Sequence, residues 1–147
     1  MKKKYTTSVK KIIIYTDGGA RGNPGPAGIG AVIKEGRKTI KEVSAYIGEA
    51  TNNFAEYEAL IRAFEEAHKL FGDKLKKMAV EVRMDSELIV RQMQGAYKVK
   101  DKNLKEQFAR VGQLVGALQN ISFVHIPREE NAHADLLVNT AIDKGGK

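Results

Sequence analysis

Cysteine is absent from the 147 residues, which removes disulfides, thiolate nucleophiles and Cys-rich zinc sites together. Histidine is scarce, at three residues, so any metal falls to oxygen donors or to His68, His125 and His133. Long apolar runs are missing as well, and none approaches the roughly 20 residues that a membrane span needs. Met1-Lys2-Lys3-Lys4 is basic, but no apolar stretch follows it as in a secretion signal, so a cytoplasmic chain with no membrane partner is expected. There is no Gly-Lys-Ser/Thr loop, and Gly28-x-Gly30 runs into a strand instead of a helix. A nucleotide or other small-molecule cofactor is therefore not expected. Acid is in deficit: 18 Asp and Glu stand against 25 Lys and Arg, for a net charge of +7. That balance permits a polyanionic partner without requiring one.

The length suits one domain with one core, with residues 1–10 as a flexible basic arm and 11–147 as the domain. Ile12-Ile13-Ile14-Tyr15-Thr16-Asp17 is a run of β-branched and aromatic residues that ends on a carboxylate. The glycines and prolines from Gly18 to Pro26 turn the chain at once. Residues 28–33 and 39–48 read as two further strands of a meander, joined by a turn at 35–38. Asn53 reads as the N-cap of a helix that Gly72 ends near residue 71. Residues 78–84 form strand four. Asp85-Ser86 starts a short helix to about 94, and Asp101 caps another to about Leu118. Residues 121–126 form strand five, and after the loop Pro127–Glu130 a last helix runs from Asn131 to about Lys144. The order βββαβααβα implies an α/β fold, a five-stranded mixed sheet flanked by helices.

Four acids sit where an acid is structurally awkward. Asp17 and Asp85 end strands one and four, the side on which open α/β sheets meet ligands. Glu56 and Asp135 lie in first helical turns. Each has an ordinary local explanation: turn former, N-cap, capping-box acid, compensation of the helix dipole. Four carboxylates converging on one sheet end, however, repel one another unless a divalent cation joins them. Oxygen-only ligands suit magnesium or manganese. Two such ions about 4 Å apart can activate water and stabilise the leaving oxygen of a phosphodiester.

Tyr15-Thr16-Asp17-Gly18-Gly19, Gly22-Asn23-Pro24-Gly25-Pro26, Thr51-Asn52-Asn53-x-x-Glu56, Met84-Asp85-Ser86 and Asn131-x-x-x-Asp135 together resemble type 1 ribonuclease H. Order and spacing match over about residues 11–143. The resemblance implies the ribonuclease H fold, with strand two antiparallel to its neighbours. It implies a metal-dependent endonuclease that cuts the RNA strand of an RNA–DNA hybrid and leaves 5′-phosphate and 3′-hydroxyl ends. It also implies two Mg2+ ions, with Mn2+ as a substitute, and a monomer. By position, Asp17, Glu56, Asp85 and Asp135 match the family's catalytic, metal-binding acids, with Asp17 shared, Glu56 and Asp85 completing one site, and Asp135 the other. Gly18, Gly19, Asn23, Thr51, Asn52, Asn53, Ser86 and Asn131 occupy positions of substrate contact, short polar groups and open backbone suited to the 2′-hydroxyls of a minor groove.

Three departures stand out. Glu87 follows the Asp-Ser pair where many relatives carry a neutral amide. Only Gln94-Gly95-Ala96-Tyr97 separates the second and third helices, so the basic protrusion of many bacterial members is missing, leaving Lys98, Lys100, Lys102, Lys105 and the Lys2–Lys4 arm as the nearby positive charge. The loop after strand five holds no histidine. His125 reads as a satisfied strand residue, His133 as pointing away from Asp135, and His68 as surface, so a histidine general base is not expected. The exonuclease branch of this fold needs Asp-x-Glu on strand one, and the integrase branch a Glu near position 120, which is Asn. A binding module that kept the fold would show a missing acid, and none is missing.

Overall fold

The computed structural model describes residues 10–145. The chain runs β1 (Lys11–Ala20), β2 (Gly25–Glu35), β3 (Lys38–Ala50), α1 (Asn52–Phe71), a 3-10 turn (Gly72–Lys77), β4 (Ala79–Met84), α2 (Glu87–Met93), α3 (Lys102–Val115), β5 (Asn120–His125), a second 3-10 turn (Arg128–Asn131) and α4 (Ala132–Gly145). The expected βββαβααβα order holds. One sheet contains all five strands in the order β3-β2-β1-β4-β5. β2 is antiparallel to both neighbours, whereas β1, β4 and β5 run parallel. The expected basic arm at residues 1–10 lies almost wholly outside the described residues. Among the described residues no helix is long and apolar enough to cross a membrane.

Alternation along the strands separates two faces. Ile12 and Ile14 of β1, Ala31 and Ile33 of β2, and Val80 and Val82 of β4 point one way and are buried against Tyr57, Leu60 and Phe64 of α1. α3 packs outside α1 through Leu104 and Val111. The opposite face of β2 receives α4, and a glycine makes the fit possible. A Cβ on Gly30 would stand 2.3 Å from the Ala134 carbonyl oxygen and 2.9 Å from Leu137 Cβ. Ser44 of β3 adds a 2.7 Å hydrogen bond to the Leu137 carbonyl. Gly30→Ala should therefore lift α4 from the sheet and lower stability by about 1–3 kcal/mol, the usual cost of overpacking. A urea midpoint unchanged from wild type would contradict that seating.

Several boundaries differ from the sequence reading, for physical reasons. β1 continues three residues past Asp17, because its antiparallel ladder with β2 persists to Ala20↔Ala27. Its parallel ladder with β4 stops at Tyr15↔Arg83. Asp17 thus lies beyond the last parallel pair while still inside a strand. Thr51, not Asn53, is the N-cap of α1, its hydroxyl accepting from Phe54 N–H at 3.2 Å. Both residue types cap well, and the end of β3 at Ala50 decides between them. Ser86, not Asp85, caps α2, while Asp101 caps α3 as expected. α3 ends at Val115 instead of near Leu118.

Candidate active site

Chain geometry brings three of the four acids to one point. Asp17 sits where β1 outruns β4, Asp85 leaves the end of β4 directly before the α2 cap, and Glu56 projects from the second turn of α1 instead of the first, because the helix starts at Asn52. One carboxylate oxygen from each lies within 4.8 Å of the others. α1 reaches this close because Gly18 has no side chain: a Cβ there would meet the Ala55 carbonyl at 2.3 Å. Gly18 is buried and also lines the cleft, so its missing side chain admits α1 directly beside the acids. Its amide lies within hydrogen-bond reach of both Asp17 and Glu56. Asp135, in the first turn of α4, completes the group from the opposite side, close enough to share a hydrogen bond with Asp17.

The electrostatics are those of acids held together against their charge. Burial, followed by the Asp85 and Asp135 carboxylates, pushes Asp17 from 3.8 to about 8. Glu56 is raised well above its ordinary value by burial and then by Asp17 and Asp85. Asp85 is raised mainly by burial, with Arg128 and the Asn131 amide pulling it back. One Glu56 oxygen, Oε1, is buried with no hydrogen-bond partner. A buried, unpartnered carboxylate oxygen beside two further carboxylates fits a hard divalent cation, which would supply what the protein does not.

The acids line an open cleft of about 600 Å³. Gly19, Asn52 and Ser86 share that cleft, whereas Asn23, Thr51 and Asn53 line a neighbouring depression of about 460 Å³. Asn52 bridges loop and helix, its Oδ1 accepting from Ala20 N–H at 2.8 Å while its own N–H donates to Asn23 Oδ1 at 2.9 Å. Asn131 does not reach the cleft surface. It is 1% exposed, and its Nδ2 donates to the Thr16 carbonyl at 2.9 Å, so it steadies β1 and Asp85 from behind.

Arg128 is the site residue that sequence reasoning passed over. It lines the cleft and lowers the pKa of both Glu56 and Asp85. Its place in the short loop before α4, where a histidine was looked for, was the available signal. Glu87 is exposed and pairs with Arg91 at 3.4 Å. His125 and His68 differ from expectation, whereas His133 does not. His125 ends the edge strand β5 and is exposed instead of satisfied within the strand. His68 is half-buried, with Nε2 2.7 Å from the Leu114 carbonyl, so it ties α1 to α3. His133 turns from Asp135 toward Glu42 of β3. Among the described residues no histidine lines the cleft.

A family model described as reverse transcriptase-like matches residues 15–141. A ribonuclease H of Dechloromonas aromatica is 32% identical over 146 residues, covering 94% of this chain and 97% of that protein. The crystal structure of a ribonuclease H1 isolated from compost by a metagenomic approach is 67% identical, covers 95% of this chain and 100% of that one, and superposes with a TM-score of 0.88. This chain belongs to the type 1 ribonuclease H family. The same compost ribonuclease H1 has been solved in complex with an RNA/DNA hybrid, again with 67% identity and a TM-score of 0.88 over 93% of this chain and 100% of that one. A bifunctional protein of Mycobacterium tuberculosis is 41% identical over 135 residues, which cover 90% of this chain and 36% of that protein. The ribonuclease H chain thus spans about a third of the length of that curated relative.

Proposed function

We propose that the protein is a metal-dependent endonuclease that hydrolyses the RNA strand of RNA–DNA hybrids. The observation that carries this reading is the group of buried Asp17 and Glu56 with half-buried Asp85, and Asp135 at hand, in an open cleft too polar for an apolar ligand. Asp17, Glu56 and Asp85 would hold one divalent cation, and Asp17 with Asp135 a second. When bound, Mg2+ or Mn2+ would neutralise the phosphate and make the attacking water a stronger nucleophile at neutral pH. Hydrolysis adds water at phosphorus and releases the 3′-oxygen, which leaves a 5′-phosphate and a 3′-hydroxyl.

The chain's own residues supply the positioning. Asp17 and Asp85 are fixed by strand geometry, and Glu56 by a helix docked on Gly18, so the acids need little rearrangement to hold their ligands. Arg128 stands beside them as a cation suited to a scissile or adjacent phosphate. On the rim, Asn23 and Asn52 both use their amide oxygens on backbone N–H groups. Their NH2 groups are thereby turned into donors for ribose hydroxyls, the feature that marks an RNA strand. A net charge of +7 supports the attraction of a duplex backbone, to which the exposed Lys98, Lys100, Lys102 and Lys105 contribute.

The deciding assay is cleavage of a hybrid labelled on either strand, beside double-stranded RNA and double-stranded DNA, with magnesium, manganese or chelator. RNA-strand cutting that needs a divalent ion is the expected result. Tight hybrid binding without cleavage in either metal would make the protein a binding module instead.

A further inference from the structure

The loop between β1 and β2 carries Asn23 and ends beside the metal acids, yet most of it is exposed and short of apolar contacts. Its geometry is fixed by polar ties. Arg21 supplies those that reach α4. Its guanidinium reaches across to α4, with NH1 2.6 Å from Asp143 Oδ1 and NH2 3.3 Å from Asn139 Oδ1 and 3.4 Å from the Asn139 carbonyl. Asn139 Nδ2 in turn donates to the Asp135 carbonyl at 3.1 Å. Asp135, Asn139 and Asp143 fall at i, i+4 and i+8, one stripe of α4, so the acid stands at one end of a row whose next two members grip the loop.

From this juxtaposition we infer that Arg21 is a positioning residue: it locks the substrate-recognition loop to the helix that carries Asp135, so that the surface meeting the RNA strand and the metal site keep one spacing. The inference rests on the hybrid-cleaving function proposed above. Loop backbone between Ala20 and Asn23 is already tied to α1 through Asn52, and Arg21 N–H donates to the Pro26 carbonyl at 2.9 Å. Gly25 permits that tight turn, since a Cβ there would overlap the Arg21 carbonyl at 2.0 Å. The clamp adds the second wall, α4. Without it the loop keeps only its hairpin bonds and its ties to α1, and can swing relative to Asp135.

Arg21 keeps about half of its side-chain surface exposed, 48%, so a direct contact with a phosphate is the competing explanation, and the two predict opposite behaviour at Asp143. If Arg21 acts through the clamp, R21A and D143A should each raise KM for the hybrid roughly three- to tenfold while kcat changes less, as expected for the loss of an exposed pair that organises binding. The double variant should be no worse than R21A alone, because D143A removes part of what R21A removes. The exchanged pair R21D with D143R should regain part of the loss. If Arg21 instead touches phosphate, R21A raises KM while D143A leaves it unchanged or lowers it, and the two effects add; either result overturns the clamp. Circular dichroism and the unfolding midpoint of each variant separate a swung loop from a damaged fold. A wild-type protein that leaves hybrid intact overturns the proposed function and this inference with it; a wild type that cuts, with variants showing additive or opposite effects, overturns this inference alone.

Discussion

Asp17→Asn is expected to lower the rate of RNA-strand cleavage by about a thousandfold or more, the scale reached when a group acting at the transition state is removed. The change is nearly isosteric and keeps the β1–β2 ladder intact, so hybrid binding with chelator present should survive. What it removes is the carboxylate that groups with Glu56 and Asp85 and also shares a hydrogen bond with Asp135. An amide cannot hold a second cation or offset the charge of a first with comparable strength. The loss should therefore appear in kcat, and raised magnesium should not rescue it. A D17N protein with near wild-type turnover would end the assignment of the site.

Metal-free protein is expected to lose stability as pH rises from 5 to 8.5. Asp17 has a folded pKa of about 8 against an ordinary 3.8, and Glu56 and Asp85 are raised too. A raised folded pKa means that the folded state keeps a proton which the unfolded state has released. The associated stabilisation is complete below the unfolded pKa and declines until pH passes the folded value, at about 1.4 kcal/mol per pH unit for each fully shifted group. A fall of several kcal/mol between pH 5 and 8.5 is thus expected in chelator, read as a denaturant midpoint at each pH. Saturating Mg2+ at pH 8.5 should recover much of it, because a ligand bound only by the folded state stabilises by mass action. D17N should flatten the metal-free slope, since its amide carries no titrating charge. Stability that stays level or climbs over this range in chelator would show that the acids are not held together as described. The same competition between protons and cations makes cleavage weaken at acid pH even with metal in excess.

The fold and the four acids were legible because each is written locally. Runs such as Ile12–Tyr15 alternate onto one buried face, caps and glycines mark the ends, and the acids fall at the edges of those elements. Their ordered motifs carried the resemblance. What stayed hidden depends on partners far away in sequence. Asn131 looks like a surface amide in a first helical turn, and only the docking of α4 on β1 buries it against Thr16. His68 reads as surface from its charged neighbours, until α3 brings the Leu114 carbonyl to it. His125 lies in a strand, but an edge strand, which leaves it exposed. The capping choice between Thr51 and Asn53 turned on where β3 stops. Arg21 is one basic residue among 25 with nothing local to separate it from the others, and Arg128 is set apart only by its place in the short loop before α4.

The Asn131 to Thr16 hydrogen bond joins residues 115 apart. Its loop takes in β2 to β5, and Asn131, which supplies the bond, closes the 3-10 turn that leads into α4. Before α4 docks, Asp17, Glu56 and Asp85 can approach one another, but Asp135 is missing and Gly30 stands uncovered. A nascent or C-terminally truncated chain therefore has an incomplete set of acids, however well its first strands have paired. Completion of the four-acid group and closure of the sheet's second face are one event, so the acids are all in place only once α4 is docked.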